Sequence, residues 1–397
     1  MAAGAELKAR GGGPAANWRR LNGPARLAGI DLARGLAVVG MLAAHLLVTD
    51  DLVWSDPATW TGIVDGRSSI LFATLAGVSI GLVTGGRTPV RGHALGQAAL
   101  RIAVRALAIW LLGVLLIATG VPVYVILPAY AILFLLVLPL LTLRPAVLFA
   151  VAGGIALIMP WVYAALMQAP LWAVPGVEEV SLLVGWQYPF PVWAAFVVAG
   201  LGIGRLDLRA LGTQAGLLLF GAGFAAVGYG LAAGTATGGG AAVQAPASGS
   251  LIEVVWTAEP HSSGVLEVFG SGGFAIAVLG ACLLLCRPWW PGATIGPIGW
   301  VVLPLRATGA MPLTAYTAQI VVWAIVAAVV LGDPSDLVGF RALEPFVPFA
   351  LWTIAACTAW ALLIGRGPLE GFIDRLSRRV GARATRGADP SAAARIG

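Results

Sequence analysis

Charge is what this sequence has least of. Asp, Glu, Lys and Arg make up 11% of its 397 residues, against 59% hydrophobic residues and a mean hydropathy of +0.90. Charges this few cannot clothe an ordinary soluble globule, so that class is excluded. Cysteine is scarce too. Cys282, Cys286 and Cys357 all fall within apolar runs, which excludes a disulfide framework and a zinc pattern and leaves packing as their role. The histidines, His45, His93 and His261, are scattered and the acids lack ligand spacing, so no metal site is expected. The alternating ten-residue strands of a membrane barrel are missing. Residues 1–26 contain Gly, Ala, Pro and basic residues but no short apolar core with a cleavage site, so no cleaved signal peptide is expected.

What the chain has instead is long apolar runs, each near the ~20 residues that a helix needs to cross ~30 Å of hydrocarbon. Hydropathy places spans at 29–49, 66–85, 98–119, 123–143, 146–167, 189–205, 211–233, 264–286, 309–331 and 346–365. The expected fold is all-α, a polytopic membrane bundle of about ten transmembrane helices. With the amino terminus inside, about twenty-two of the 24 Lys and Arg residues fall on the inner face, leaving Arg67 and Arg341 outside. Most loop acids lie opposite them. Both termini are therefore expected in the cytoplasm, the protein being multi-pass in the cell membrane with the lipid bilayer as its partner. The net charge of +6 reflects this topology and not nucleic-acid binding, because the basic residues sit between apolar runs and at the ends. The expected organisation is a basic segment (1–26), one membrane domain (27–374) and a basic, fraying tail (375–397). "RPWWPGATIGPIGWVVLPLR" (287–306) suits a membrane interface, and the outer segments 50–65, 168–188 and 234–263 would roof an outward site.

The first span, "GIDLARGLAVVGMLAAHLLV", carries Asp31, Arg34 and His45. Eleven steps of about 100° bring His45 to within ~20° of Arg34 and ~16 Å along the axis, with Asp31 on the same face. Ionisable groups at membrane depth are costly unless they face a bundle interior or a wet cavity. Asp31 and Arg34, one turn apart, could equally form a structural ion pair. An imidazole can act as general base towards a hydroxyl or amine, or carry an acyl group as nucleophile.

The Arg34-to-His45 spacing resembles the first-helix signature of the transmembrane acyltransferase superfamily. "RLAGIDLARGLAVVGMLAAH" with "DGRSSILFATLAGVSIGLVTGG" (65–86) is similar to the amino-terminal part of the heparan-alpha-glucosaminide N-acetyltransferase catalytic-domain family in its bacterial form. "EPHSSGVLEVFGSGGFAIAVLG" (259–280), "GAMPLTAYTAQ" (309–319) and "GRGPLEGFIDRL" (365–376) resemble the carboxy-terminal half of the domain-of-unknown-function 418 family. The resemblance implies a helical bundle that takes an acyl group, often acetyl, from cytoplasmic acyl-CoA to an acceptor at the far face, a glycan or other envelope component. Acyl-CoA is then a co-substrate, and no tightly bound cofactor is expected. Arg34 and His45 match the motif. The loop associated with the catalytic histidine of the eukaryotic enzyme has none here over 50–65, leaving that work to His45, Asp50, Asp51 or Asp56.

Other positions carry two readings each. Asp65 and Arg67 in "DGRSS" form either an interfacial cap with an anchor or an acceptor site near His45. Gly77 and Gly81 serve helix packing or leave room for a pantetheine arm. Arg101 and Arg105 meet either the topology rule or coenzyme A phosphates. His261 is an exposed loop histidine or an acceptor-side acid/base. Tyr316 and Gln319 make interhelical hydrogen bonds or line the cavity. The alternative function is a transporter or proton-coupled exporter using the Arg34/His45 stripe, although paired half-repeats with broken helices are not evident.

Overall fold

In a hydrocarbon solvent every backbone N–H and C=O must be paired within its own segment or by protein, and a chain this apolar meets that demand with helices. The computed structural model describes residues 13–53, 55–235 and 250–387, and among them there is no strand. The helices are α1 (Pro14–Asn22), α2 (Ala28–Leu46), α3 (Arg67–Val83), α4 (Gly92–Ile117), α5 (Leu127–Leu136), α6 (Pro145–Met167), α7 (Val177–Val184), α8 (Phe190–Ile203) and α9 (Leu211–Thr235). They continue as α10 (Leu251–Val255), α11 (Val265–Leu285), α12 (Pro297–Val301), α13 (Leu303–Gly309), α14 (Pro312–Val330), α15 (Leu337–Ala342), α16 (Phe346–Leu363) and α17 (Pro368–Gly387).

Among the described residues, eight helical segments are long and apolar enough to span a membrane, and the chain is a multi-pass membrane protein. Two of the ten expected spans are shorter than hydropathy indicated. The run 123–143 yields the ten-residue α5 followed by the 3₁₀ turn Leu138–Leu140, and 189–205 yields the 14-residue α8. At 1.5 Å per residue these reach about 15 and 21 Å, less than the hydrocarbon thickness. Apolarity marks burial here, since most of α8 packs inside the bundle against α3 and α6.

α2 is the central element, packed against α3, α11, α13, α14 and α16. Its seam with α13 is a backbone-to-backbone contact. A Cβ on Gly309 would overlap the Asp31 carbonyl oxygen, and one on Gly35 would overlap that of Leu305. The small residues of α3 have a similar purpose. Gly77 and Gly81 lie directly on the α8 backbone at Val197 and Gly204, so this face is filled by a helix and holds no channel for a pantetheine arm. α9 runs along α11, and α17 packs on α4 and α14, with Ile373 buried. The α14 amino terminus is capped from a distance: the Glu370 carboxylate of α17 accepts from the Leu313 and Thr314 amides at 2.8 and 3.1 Å. Residues 236–249 of the expected outer segment 234–263, and residues 388–397 of the tail, lie outside the described residues.

Candidate functional site

Where α2 ends, its last carbonyls lack intrahelical partners. The carbonyl of His45 finds one in Arg341 of α15, whose Nε and Nη2 donate to it at 3.0 and 2.8 Å. His45 is thereby held at the wall of a cavity of about 500 Å³, which Asp65, Ser68, His261, Tyr316 and Arg341 also line. The imidazole makes no hydrogen bond to any described residue, and its electrostatic neighbours are His261, Arg341 and Asp65.

The opposite wall is built from the turn before α11. His261 Nε2 lies 3.2 Å from Asp65 Oδ1. Two residues of this turn, His261 and Ser263, have φ of 64° and 57°, a left-handed conformation unfavourable to residues with a Cβ. Glu267, buried at the start of α11, holds the turn in place. Its carboxylate accepts from the amides of His261 and Ser263 at 2.7 and 2.6 Å and from Ser262 Oγ at 3.2 Å. Burial works against a charge on His261, but the hydrogen bond to Asp65 and the negative charges of Glu267 and Asp65 outweigh it, and its pKa lies above 6.5. Gly66, at φ 65°, lets the chain turn into α3 just beneath Pro260.

Four tyrosines, Tyr124, Tyr163, Tyr188 and Tyr316, contribute to the rest of the lining. Tyr188 stands edge-on to His261 at 6.3 Å between centroids and donates its hydroxyl to the Tyr124 carbonyl at 3.0 Å. The Tyr316 hydroxyl is buried against the Ile126 backbone without a well-formed hydrogen bond. This cavity, with two imidazoles, a carboxylate and a guanidinium in an apolar bundle, can exchange protons with a ligand and orient an oxyanion.

The other end of α2 carries the second cluster. Asp31, 2% exposed, accepts from Arg26 Nε, from Arg26 Nη2 at 3.1 Å and from Arg34 Nη1 at 3.3 Å. Arg34 also donates to Ser79 Oγ of α3 at 2.7 Å. Arg105 of α4 makes no hydrogen bond or ion pair with a described residue, and it belongs to the same electrostatic neighbourhood as Arg34 and Glu370.

The residues singled out in the sequence thus divide three ways. His45, Asp65, His261 and Tyr316 share the cavity at one end of α2. Asp31, Arg34 and Arg105 gather at the other end. Three join neither group. Arg67 turns away from the cavity, donating to Tyr229 at 2.7 Å and to the Gly62 carbonyl at 3.2 Å. Gln319 faces α16, with Nε2 3.4 Å from Thr353 Oγ1. Arg101 is exposed on α4 alongside Gly381. Arg341, Glu267 and Tyr188 were not singled out. Glu267 was within reach, since "EPHSSGVLE" places an acid at the first turn of an apolar helix beside the histidine.

Comparison with protein families matches the catalytic domain of heparan-alpha-glucosaminide N-acetyltransferase over residues 26–225, from just before α2 to within α9. The chain belongs to that family. The glucosaminide N-acetyltransferase match includes the α2 residues of both clusters, together with Asp65, Arg105, Tyr188 and all of α3. His261, Tyr316 and Arg341 lie beyond the matched residues and complete the cavity from the other half of the chain. Comparison with curated proteins and with solved structures gives no match.

Proposed function

We propose that this protein transfers an acyl group, acetyl by the class of its family, from cytoplasmic acyl-CoA to a hydroxyl or amine of a glycan or other cell-envelope acceptor. The observation that carries this reading is the cavity at the His45 end of α2, where an imidazole with no hydrogen bond to a described residue faces the Asp65–His261 pair. The basic face, with both termini, is on the cytoplasmic side of the cell membrane, and the chain returns towards that face at α5 and α8, which run through protein and not through lipid. Coenzyme A phosphates meet Arg34 and Arg105, the latter making no hydrogen bond or ion pair with a described residue and having Asp374 and Glu370 as electrostatic neighbours. The thioester then reaches ~16 Å along α2 to His45.

At the cavity, His45 acts as general base or as acyl carrier. As base, it takes the proton of the acceptor O–H or N–H while the acceptor attacks the thioester carbonyl. The C–S bond breaks, and the coenzyme leaves as a thiolate that recovers the proton. As carrier, its ring nitrogen attacks the thioester carbonyl and the C–S bond breaks with loss of the coenzyme thiolate; the acceptor then attacks the acyl-imidazole, the C–N bond breaks to free the ring, and the acceptor proton goes to the thiolate.

The test is free CoA release by purified protein in lipid vesicles supplied with acetyl-CoA and candidate sugar acceptors. His45→Ala should lower the rate by ~100-fold or more, and Arg34→Ala should raise the KM for acetyl-CoA. Folded wild-type protein that releases no CoA from any of several acyl-CoAs, yet moves solute under a pH gradient, would establish transport instead.

A further inference from the structure

A third arginine cluster adjoins the Asp31 end of α2 and shares Arg26 with it. Where the chain enters α2 and α9 and leaves α11, Arg26, Arg209 and Arg287 line a cavity of about 280 Å³. That is several times the ~30 Å³ share of one water molecule. Two of these guanidiniums are anchored by carbonyls alone. Arg209 Nη2 donates to the Pro24 carbonyl at 2.6 Å, and Arg287 Nη1 donates to the Arg209 carbonyl at 3.0 Å and to Gln214 Oε1 at 3.3 Å. Among the described residues neither has a carboxylate within ion-pair distance. Asp31 is the counterion of Arg26 and is shared with Arg34, and Asp207 pairs with Arg87 at 3.1 Å. Fixed positive charge therefore converges here in excess of the acid that the described residues supply.

We infer that this cavity binds the phosphate of an anionic phospholipid from the leaflet at the basic face. The lipid source is favoured by the surroundings. Trp289 and Trp290, directly after the Arg287–Pro288 wall, are 64% and 56% exposed, as indoles anchored at a headgroup layer are. Leu27 and Leu283 make part of the wall apolar, and Leu211 and Leu285, both exposed on the neighbouring helix ends, continue that surface towards the hydrocarbon. A guanidinium fork can grip a phosphodiester in two hydrogen bonds, and basic pockets between transmembrane helices are suited to phosphate headgroups. The bound lipid bridges α9 and α11 to the Arg26–Asp31 clasp, so it braces the amino-terminal end of α2.

The experiment is native mass spectrometry of the full chain released from nanodiscs of mixed phosphatidylglycerol and phosphatidylcholine, with phosphatidylglycerol titrated. Wild-type protein should retain one phosphatidylglycerol in preference to phosphatidylcholine. Arg209→Gln and Arg287→Gln should each weaken its retention about fivefold, the worth of one basic residue near the headgroups. Their melting temperatures in phosphatidylcholine alone should equal that of wild type. If Arg287→Gln does not fold, Arg209→Gln and the wild-type preference still decide. No preference in wild type, or unchanged retention in a folded variant, would overturn the proposal. Displacement of the lipid by millimolar inorganic phosphate or coenzyme A would also overturn it, assigning the cluster to a soluble phosphate.

Discussion

His261 is held in a backbone conformation that a histidine does not choose, and the cost is met by the buried Glu267 carboxylate gripping the amides on both sides of Ser262. The gain is position, because the ring then reaches Asp65 from the far half of the chain. Since folding raises the His261 pKa above 6.5, its charge contributes stability that is complete below 6.5 and is lost as pH climbs through the folded value. Asp65→Asn should therefore lower the His261 pKa in an NMR titration and lower Tm more at pH 6 than at pH 9. Arg341 acts through another residue. Its two bonds to the His45 carbonyl make it a positioning residue, and losing charge-assisted bonds of ~1.5–3 kcal/mol should let the imidazole drift. Arg341→Gln is expected to reduce kcat about tenfold or more with little change in the KM for acyl-CoA, and Arg341→Lys should recover part of it. Neither partnership could be read from composition, since Arg341 and His45 are 296 positions apart. Arg341 stood out only as one of two outer basic residues.

The elements around α2 are held by close approach as much as by apolar area. Gly309 touches the α2 backbone at Asp31, while Gly153 on α6 has nothing within reach of a Cβ. Gly309→Ala should therefore cost ~1–3 kcal/mol or more through overpacking, visible as a lower Tm and poorer yield. Gly153→Ala should be neutral or gain up to ~1 kcal/mol. The α14 start has an equally local dependence. Glu370→Ala removes two amide bonds and the Thr314 Oγ1 bond, and should destabilise by ~1–2 kcal/mol. The eight long segments were legible because a hydrocarbon solvent demands about 20 apolar residues in a row. The lengths of α5 and α8 were not. A helix buried in protein and a helix facing lipid are equally apolar, and hydropathy does not separate them.

The whole molecule places two polar clusters at the two ends of one central helix, and the proposed reaction runs between them. The orientation can be measured directly, because Cys282, Cys286 and Cys357 are all buried and give little labelling background. A membrane-impermeant maleimide applied to intact cells should label Glu179→Cys and spare Arg91→Cys, both positions being exposed on the protein surface. The reverse pattern would put the basic face outside. Sequence by itself determined the solvent, the helical class and the Arg34–His45 stripe, because hydropathy and helical period are local properties that need no knowledge of neighbours. Tertiary structure alone decided which residues meet. It brought His261, Tyr316 and Arg341 to His45 from the second half of the chain, turned Arg67 and Gln319 away, and left Arg209 and Arg287 without an ion-paired acid among the described residues. Such choices follow from how helices pack, and a helix of given periodicity can present its polar residues to any neighbour that fits.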